Sequence, residues 1–128
     1  MFRVVVNDEF SSAHFLRNYK GKCENLHGHN YKVEVFIIAE KLNNDEMVID
    51  FTELKKITKE ILNQLDHCLI NDLEFFKFHN PTSENIALYI YKQIIQRLKD
   101  DKIIKEQRLK IEKVRVWETE KQYAEYFE

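Results

Sequence analysis

The sequence is poor in residues that break or staple a chain: one proline, two glycines and two cysteines among 128 residues. So little Gly and Pro leaves no room for flexible linkers or low-complexity tails, and there is no internal repeat. Cys23 and Cys68 are too few for a disulfide scaffold, and free thiols fit a reducing compartment. An excess of one charge is also missing. Lys plus Arg number 20 and Asp plus Glu 22, for a formal net charge of −2. No basic run marks a surface for nucleic acid or anionic membrane. No apolar run, Val35 to Ala39 included, approaches the roughly 20 residues of a membrane helix. Met1-Phe2-Arg3 opens straight into a β-like run, the start expected of a cytoplasmic protein without a targeting segment. What is present is 44% hydrophobic and 33% charged, which supplies a core and a wet surface. The length suits one domain, residues 1–128.

Hydrophobic spacing orders that domain. Phe2, Val4 and Val6 alternate with Arg3, Val5 and Asn7, as in a half-buried strand. Asn30 to Glu40 repeats the pattern, with Tyr31, Val33, Val35 and Ile37 on one face. Leu16 to Leu26, polar and containing Gly21, is a long loop between the two strands. Asp50 offers a cap to a helix carrying Leu54, Ile57, Ile61 and Leu65, and Thr82, after Pro81, caps a second carrying Ile86, Ile90, Ile94 and Leu98 to about Lys99. After a charged turn, Leu109, Ile111, Val114 and Val116 form a third strand, and Gln122 to Phe127 a short fourth. The order ββααββ excludes a regular parallel α/β fold. It predicts an α+β class: a four-stranded antiparallel sheet with two helices on one face. Val5, Phe36 and Ile38 on the other face predict a partner sheet, hence an oligomer.

Chemistry concentrates in a few short segments. His27-Gly28-His29 enters the second strand, where side chains two apart share a face, so both imidazoles can converge on one point. His14 lies at the end of the neighbouring strand, and three imidazoles with one position open describe a catalytic zinc site. Cys23, four residues before His27, is either a fourth ligand that would make the site structural or a free base beside the metal. In Asp66-His67 a carboxylate adjoins an imidazole that it can orient for proton transfer. Glu118 ends the third strand; it is either a solvated carboxylate or one that accepts two parallel N–H groups. Cys68 and His79 read as structural.

Phe10-Ser11-Ser12-Ala13-His14, Cys23-Glu24-Asn25-Leu26-His27-Gly28-His29-Asn30-Tyr31, Leu65-Asp66-His67, Asn80-Pro81-Thr82-Ser83-Glu84-Asn85 and Glu118-Thr119 form an ordered set. In these the protein resembles the 6-pyruvoyl-tetrahydropterin synthase family, including its bacterial members, the 6-carboxy-tetrahydropterin synthases of queuosine biosynthesis. The resemblance runs from His14 to Tyr126. It implies the tunnelling fold, whose sheets join edge to edge into trimeric barrels, and a homohexamer made as a dimer of trimers with active sites between subunits. It further implies zinc on His14, His27 and His29, Cys23 as proton-abstracting base, Asp66 and His67 as a relay, and Glu118 as anchor of the pterin ring. Thr82, Ser83 and Glu84 are implied to lie close to the pterin.

The implied substrate is 7,8-dihydroneopterin triphosphate. Zinc would acidify a C–H of the substrate's side arm next to the hydroxyls it grips, and triphosphate and, in the carboxy branch, acetaldehyde would be lost. Lys20 and Lys22 are the loop cations available to the polyphosphate. Glu24, directly after Cys23, is similar to a subgroup that can also cleave the side arm to 6-hydroxymethyl-dihydropterin. Carboxy, pyruvoyl and hydroxymethyl products all fit these residues. The competing reading is a non-enzymatic module whose zinc is closed by Cys23 and the histidines.

Overall fold

The computed structural model describes residues 1–103 and 108–128; the later part of the charged turn, residues 104–107, lies outside the described residues. Four strands form one antiparallel sheet in sequence order: β1 (Phe2–His14), β2 (His27–Ala39), β3 (Leu109–Thr119) and β4 (Gln122–Tyr126). Helices α1 (Phe51–Asn63) and α2 (Ser83–Asp100) stand between β2 and β3 in sequence. They pack on one face of the sheet, α1 against β1 and α2 against β3 and β4.

Period-2 alternation decides which residues meet the helices. Val6 and Phe10 of β1 and Tyr31, Val33, Val35, Ile37 and Ala39 of β2 are buried. On β3 the buried parity switches, from Leu109 and Ile111 to Val114 and Val116. The pairing with β2 shifts between Phe36 and Ile37, and such a bulge turns the following side chains to the opposite face. α1 closes the core with Leu54, Ile57, Ile61 and Leu62, and α2 with Ile86, Ile90, Ile94 and Leu98. The expected caps are made: Asp50 accepts from the Thr52 N–H at 2.7 Å and Thr82 from the Asn85 N–H at 3.2 Å.

Three features differ from the sequence reading. β2 begins at His27 rather than Asn30, because His14 to Ser11 of β1 pair with the whole His-Gly-His-Asn segment. Between the helices the backbone makes two short 3-10 turns, Ile70–Asp72 and Glu74–Lys77, too brief for periodicity to reveal. Phe36, expected to need a partner sheet, is covered from within the same chain by Lys113 and Arg115, whose charged groups sit 4.8 and 5.1 Å from its ring centroid. No helix among the described residues is long and apolar enough to cross a membrane.

Candidate active site

The sheet register assembles the site at the end of the β1–β2 hairpin. His14 is directly opposite His27, and Ser12 opposite His29. All three imidazoles share the parity of the buried positions and so point to the helix side. His14 Nδ1 is 2.7 Å from the Pro81 carbonyl oxygen and His27 Nδ1 is 2.7 Å from that of Asn25. Only a protonated Nδ1 can donate to a carbonyl, so both rings hold their proton there and turn a bare Nε2 inward. The two Nε2 atoms are 2.9 Å apart. Two lone pairs at that distance repel unless a cation lies between them. His29 Nε2 is buried without a hydrogen-bond partner, and one nitrogen from each of the three rings lies within 4.8 Å of the others. A metal ion satisfies all three atoms at once, so the residues fit one.

Burial holds His14 and His29 below the ordinary histidine range, with the neighbouring imidazoles pushing the same way and Glu118 partly opposing. Neutral imidazole is the form that ligates a metal. Tyr31 lies under the triad, its hydroxyl 3.1 Å from His14 Nδ1 and its ring stacked on Phe10 at 4.7 Å. Burial and the charge of Glu118 raise its phenol well above the usual value.

A cavity of about 310 Å³ opens beside the triad, lined among others by His14, Cys23, Thr82, Ser83, Glu84 and Glu118. Cys23 is half-buried in the one-turn helix Lys22–Glu24. Its sulfur does not join the three-histidine cluster, which favours a thiol facing the cavity over a fourth ligand. The β3–β4 pairing shifts between Trp117 and Thr119, and the bulge leaves Glu118 aimed at the cavity. Its Oε1 is 3.7 Å from His29 Nε2 and its Oε2 accepts from the Ser83 hydroxyl at 3.4 Å. The carboxylate thus keeps acceptor capacity open.

Other residues singled out by sequence stand apart. Asp66 Oδ2 is 2.8 Å from His67 Nδ1, so this pair forms as expected, but on the outer edge of β1. There Asp66 Oδ1 accepts from the Ser11 N–H at 2.8 Å and the His67 N–H donates to the Ser11 carbonyl at 2.6 Å. The Ser11 N–H and His67 hold the Asp66 carboxyl below its usual range. His67 is 82% exposed in its side chain, with φ of 51°, and the pair does not line the cavity. Glu24, Lys20 and Lys22 are exposed and outside that lining. Cys68 Sγ donates to the Leu65 carbonyl at 3.3 Å, and His79 stacks on Phe75 at 4.5 Å, as structural residues do. Sequence reasoning assigned no part to Tyr31 or to the Pro81 carbonyl; Tyr31 carried a signal, since it continues the parity of His27 and His29. A larger hollow of about 840 Å³ is lined by Met1, Lys41 and Arg108 among others. Arg108 is engaged there by the carbonyls of Lys41, Met47 and Val48, so its donors are already taken.

A sheet backed by two helices, with three inward-facing imidazoles over a cleft holding a thiol and a carboxylate, defines an α+β protein whose three histidines could hold a metal ion. The family described as 6-pyruvoyl tetrahydropterin synthase matches residues 3–128, and the chain belongs to that family. It is 36% identical to the 6-carboxy-5,6,7,8-tetrahydropterin synthase of Haemophilus influenzae over 150 residues, covering 100% of both proteins. It is 35% identical to the 6-pyruvoyl tetrahydrobiopterin synthase of Dictyostelium discoideum, covering 98% of each. Among solved structures, the Caenorhabditis elegans 6-pyruvoyl tetrahydropterin synthase superposes with a TM-score of 0.85 at 31% identity, over 99% of this protein and 95% of that one. The fold is therefore the tunnelling fold of that family.

Proposed function

We propose that this protein is a zinc-dependent lyase. It converts 7,8-dihydroneopterin triphosphate to 6-carboxy-5,6,7,8-tetrahydropterin with loss of triphosphate and acetaldehyde, a step toward queuosine, in the cytoplasm. The observation that carries the reading is the convergence of His14, His27 and His29 beside a cavity that also holds Cys23 and Glu118. The carboxy product is favoured because most of the similar relatives carry that name, the full-length Haemophilus influenzae protein among them, against the pyruvoyl name of the Dictyostelium discoideum relative.

In this reading His14, His27 and His29 hold the metal, and the carbonyl-bound Nδ1 protons of His14 and His27 keep those rings in the ligating tautomer. Zinc bound there supplies Lewis-acid polarisation of the hydroxyls on the substrate's side arm. Glu118 accepts two parallel N–H groups of the pterin ring through its open lone pairs. Thr82, Ser83 and Glu84 form the wall beside it. Cys23 takes the proton from the side-arm carbon, and Glu24, next in sequence, is a second base on the solvent side of the same turn, outside the cavity lining.

Asp66 and His67 supply the proton relay. Because they sit on the β1 edge rather than in their own subunit's cavity, they serve the site of a neighbouring copy. This accords with a homohexamer of two stacked trimeric barrels, each made by joining sheets edge to edge. One domain over residues 1–128 carries all of these parts.

Mass spectrometry of the product formed from 7,8-dihydroneopterin triphosphate tests the reading. The carboxy-pterin with acetaldehyde is expected. A pyruvoyl or hydroxymethyl product would reassign the branch, and no conversion by zinc-loaded protein would remove the enzyme reading.

A further inference from the structure

The segment that follows His14 is held on both edges, and one edge is made of side chains. Asn71 Oδ1 accepts from the Phe15 N–H and Asn71 Nδ2 donates to the Phe15 carbonyl, each at 3.0 Å. Asn80 treats Arg17 the same way, accepting from its N–H at 2.8 Å and donating to its carbonyl at 3.0 Å. A carboxamide carries the same donor and acceptor as a peptide group. Each asparagine therefore reproduces the double exchange of a hydrogen-bonded antiparallel pair. Residues 15 and 17 face one edge, as strand geometry requires, and the intervening Leu16 faces the other, where its N–H donates to the Cys23 carbonyl at 2.8 Å. The Arg17 guanidinium donates to the carbonyls of Phe76 and Asn71, at 2.7 and 3.4 Å.

We infer that Asn71 and Asn80 are positioning residues that set Cys23 against the metal-facing histidines; the catalytic part of this inference rests on the reading of Cys23 as the base. Asn80 is the junction. Its own carbonyl accepts from the Thr82 N–H at 2.8 Å and from Asn85 Nδ2 at 2.9 Å, and the next carbonyl, that of Pro81, fixes the His14 tautomer. One residue thereby joins the cysteine loop, the first turn of α2 and the metal-ligand orientation. Asn71 is 3% exposed, and a carboxamide so buried is costly unless all its groups are bonded. The clamp bonds them. It also explains how the long loop Leu16–Leu26 can present a thiol at a fixed place: the loop is tied at its first residue to Cys23 itself.

The test uses full-length protein with Asn80→Asp, which keeps the acceptor for the Arg17 N–H but sets an oxygen against the Arg17 carbonyl. Alkylation of Cys23 and Cys68 by iodoacetamide is followed by peptide mass spectrometry on metal-free protein, beside kcat, KM and zinc content of the loaded form. Cys23 should react faster by about tenfold with Cys68 unchanged, a local rather than global opening. The kcat should fall about 10- to 100-fold with KM within about threefold and zinc content retained, as expected when a reacting group is misplaced. If Asn80→Asp does not fold, Asn80→Ser, too short to reach both groups, carries the same readouts. Equal acceleration at both thiols, or none at Cys23, overturns the inference. Wild-type protein that makes no product overturns the pterin reading instead, and the thiol rates then decide the clamp by themselves.

Discussion

Glu118→Gln is the perturbation that separates a pterin site from a polar hollow. In the structure its carboxylate makes one long hydrogen bond, from the Ser83 hydroxyl at 3.4 Å, and lies 3.7 Å from His29 Nε2. Neither contact saturates it, and at 22% side-chain exposure it is largely withdrawn from water. Two oxygens are therefore free to accept the parallel ring N–H and amino donors of a pterin. The amide keeps one acceptor but turns a donor toward a donor, which leaves a buried polar group unpaired at a cost of about 1–3 kcal/mol. At about 1.4 kcal/mol per decade this weakens pterin binding by about 5- to 150-fold. Removing the Glu118 charge also removes an influence that raises the His29 pKa, so metal content should not fall. Calorimetric titration of a non-reactive pterin into wild type and Glu118→Gln, with zinc measured in both, reads the difference. Equal affinities would refute the reasoning, because the carboxylate would then be touching solvent rather than ligand.

His27→Ala should strip zinc while the fold persists, since His27 is only half-buried and lies outside the apolar core; elemental analysis with circular dichroism checks it, and full zinc occupancy would remove the assignment. Cys23→Ala should keep zinc and lose about 10²- to 10⁴-fold in turnover, and an unchanged rate would make Glu24 the base to test. His14 and His29 titrate below the ordinary 6.5 in the folded protein, so below that value the unfolded state binds more protons. Folding stability and metal occupancy should then both drop as pH falls through about 6.5; melting curves from about pH 7.5 to 5.5 that rise instead would contradict the burial argument.

The fold was legible wherever periodicity and capping were unopposed. Asp50 and Thr82 mark the starts of α1 and α2 because each side-chain oxygen meets an amide that the helix leaves unpaired. The buried pattern of β3, Leu109 and Ile111 followed by Val114 and Val116, hid a bulge. A one-residue change of parity looks like noise in a sequence and becomes meaningful only against the register of β2. The segment 66–79 was illegible for a different reason. Its first residues bond to β1, where the Ala13 N–H and the Ser12 hydroxyl both donate to the Cys68 carbonyl, at 3.0 and 2.5 Å, and the rest bond within the two brief 3-10 turns. Such long-range partners leave no local spacing to read.

The site divides along the same line. The three histidines could be grouped from sequence because strand parity and one antiparallel hairpin suffice to bring them together, and the register then places His14 opposite His27. What suits two of them to face a metal ion lies elsewhere, in the Pro81 and Asn25 carbonyls that take the Nδ1 protons of His14 and His27. A backbone carbonyl has no side-chain signature, so tautomer control is invisible until the fold is known. Asp66 and His67 present the converse case. Their adjacency was readable and their ion pair forms, yet the pair lies on an exposed edge instead of in the cavity. A single subunit's sequence does not distinguish a residue that serves its own cavity from one that serves a neighbour's. The distinction is set by which sheet edge the segment 66–69 covers, and that segment lies on the edge of β1 opposite β2.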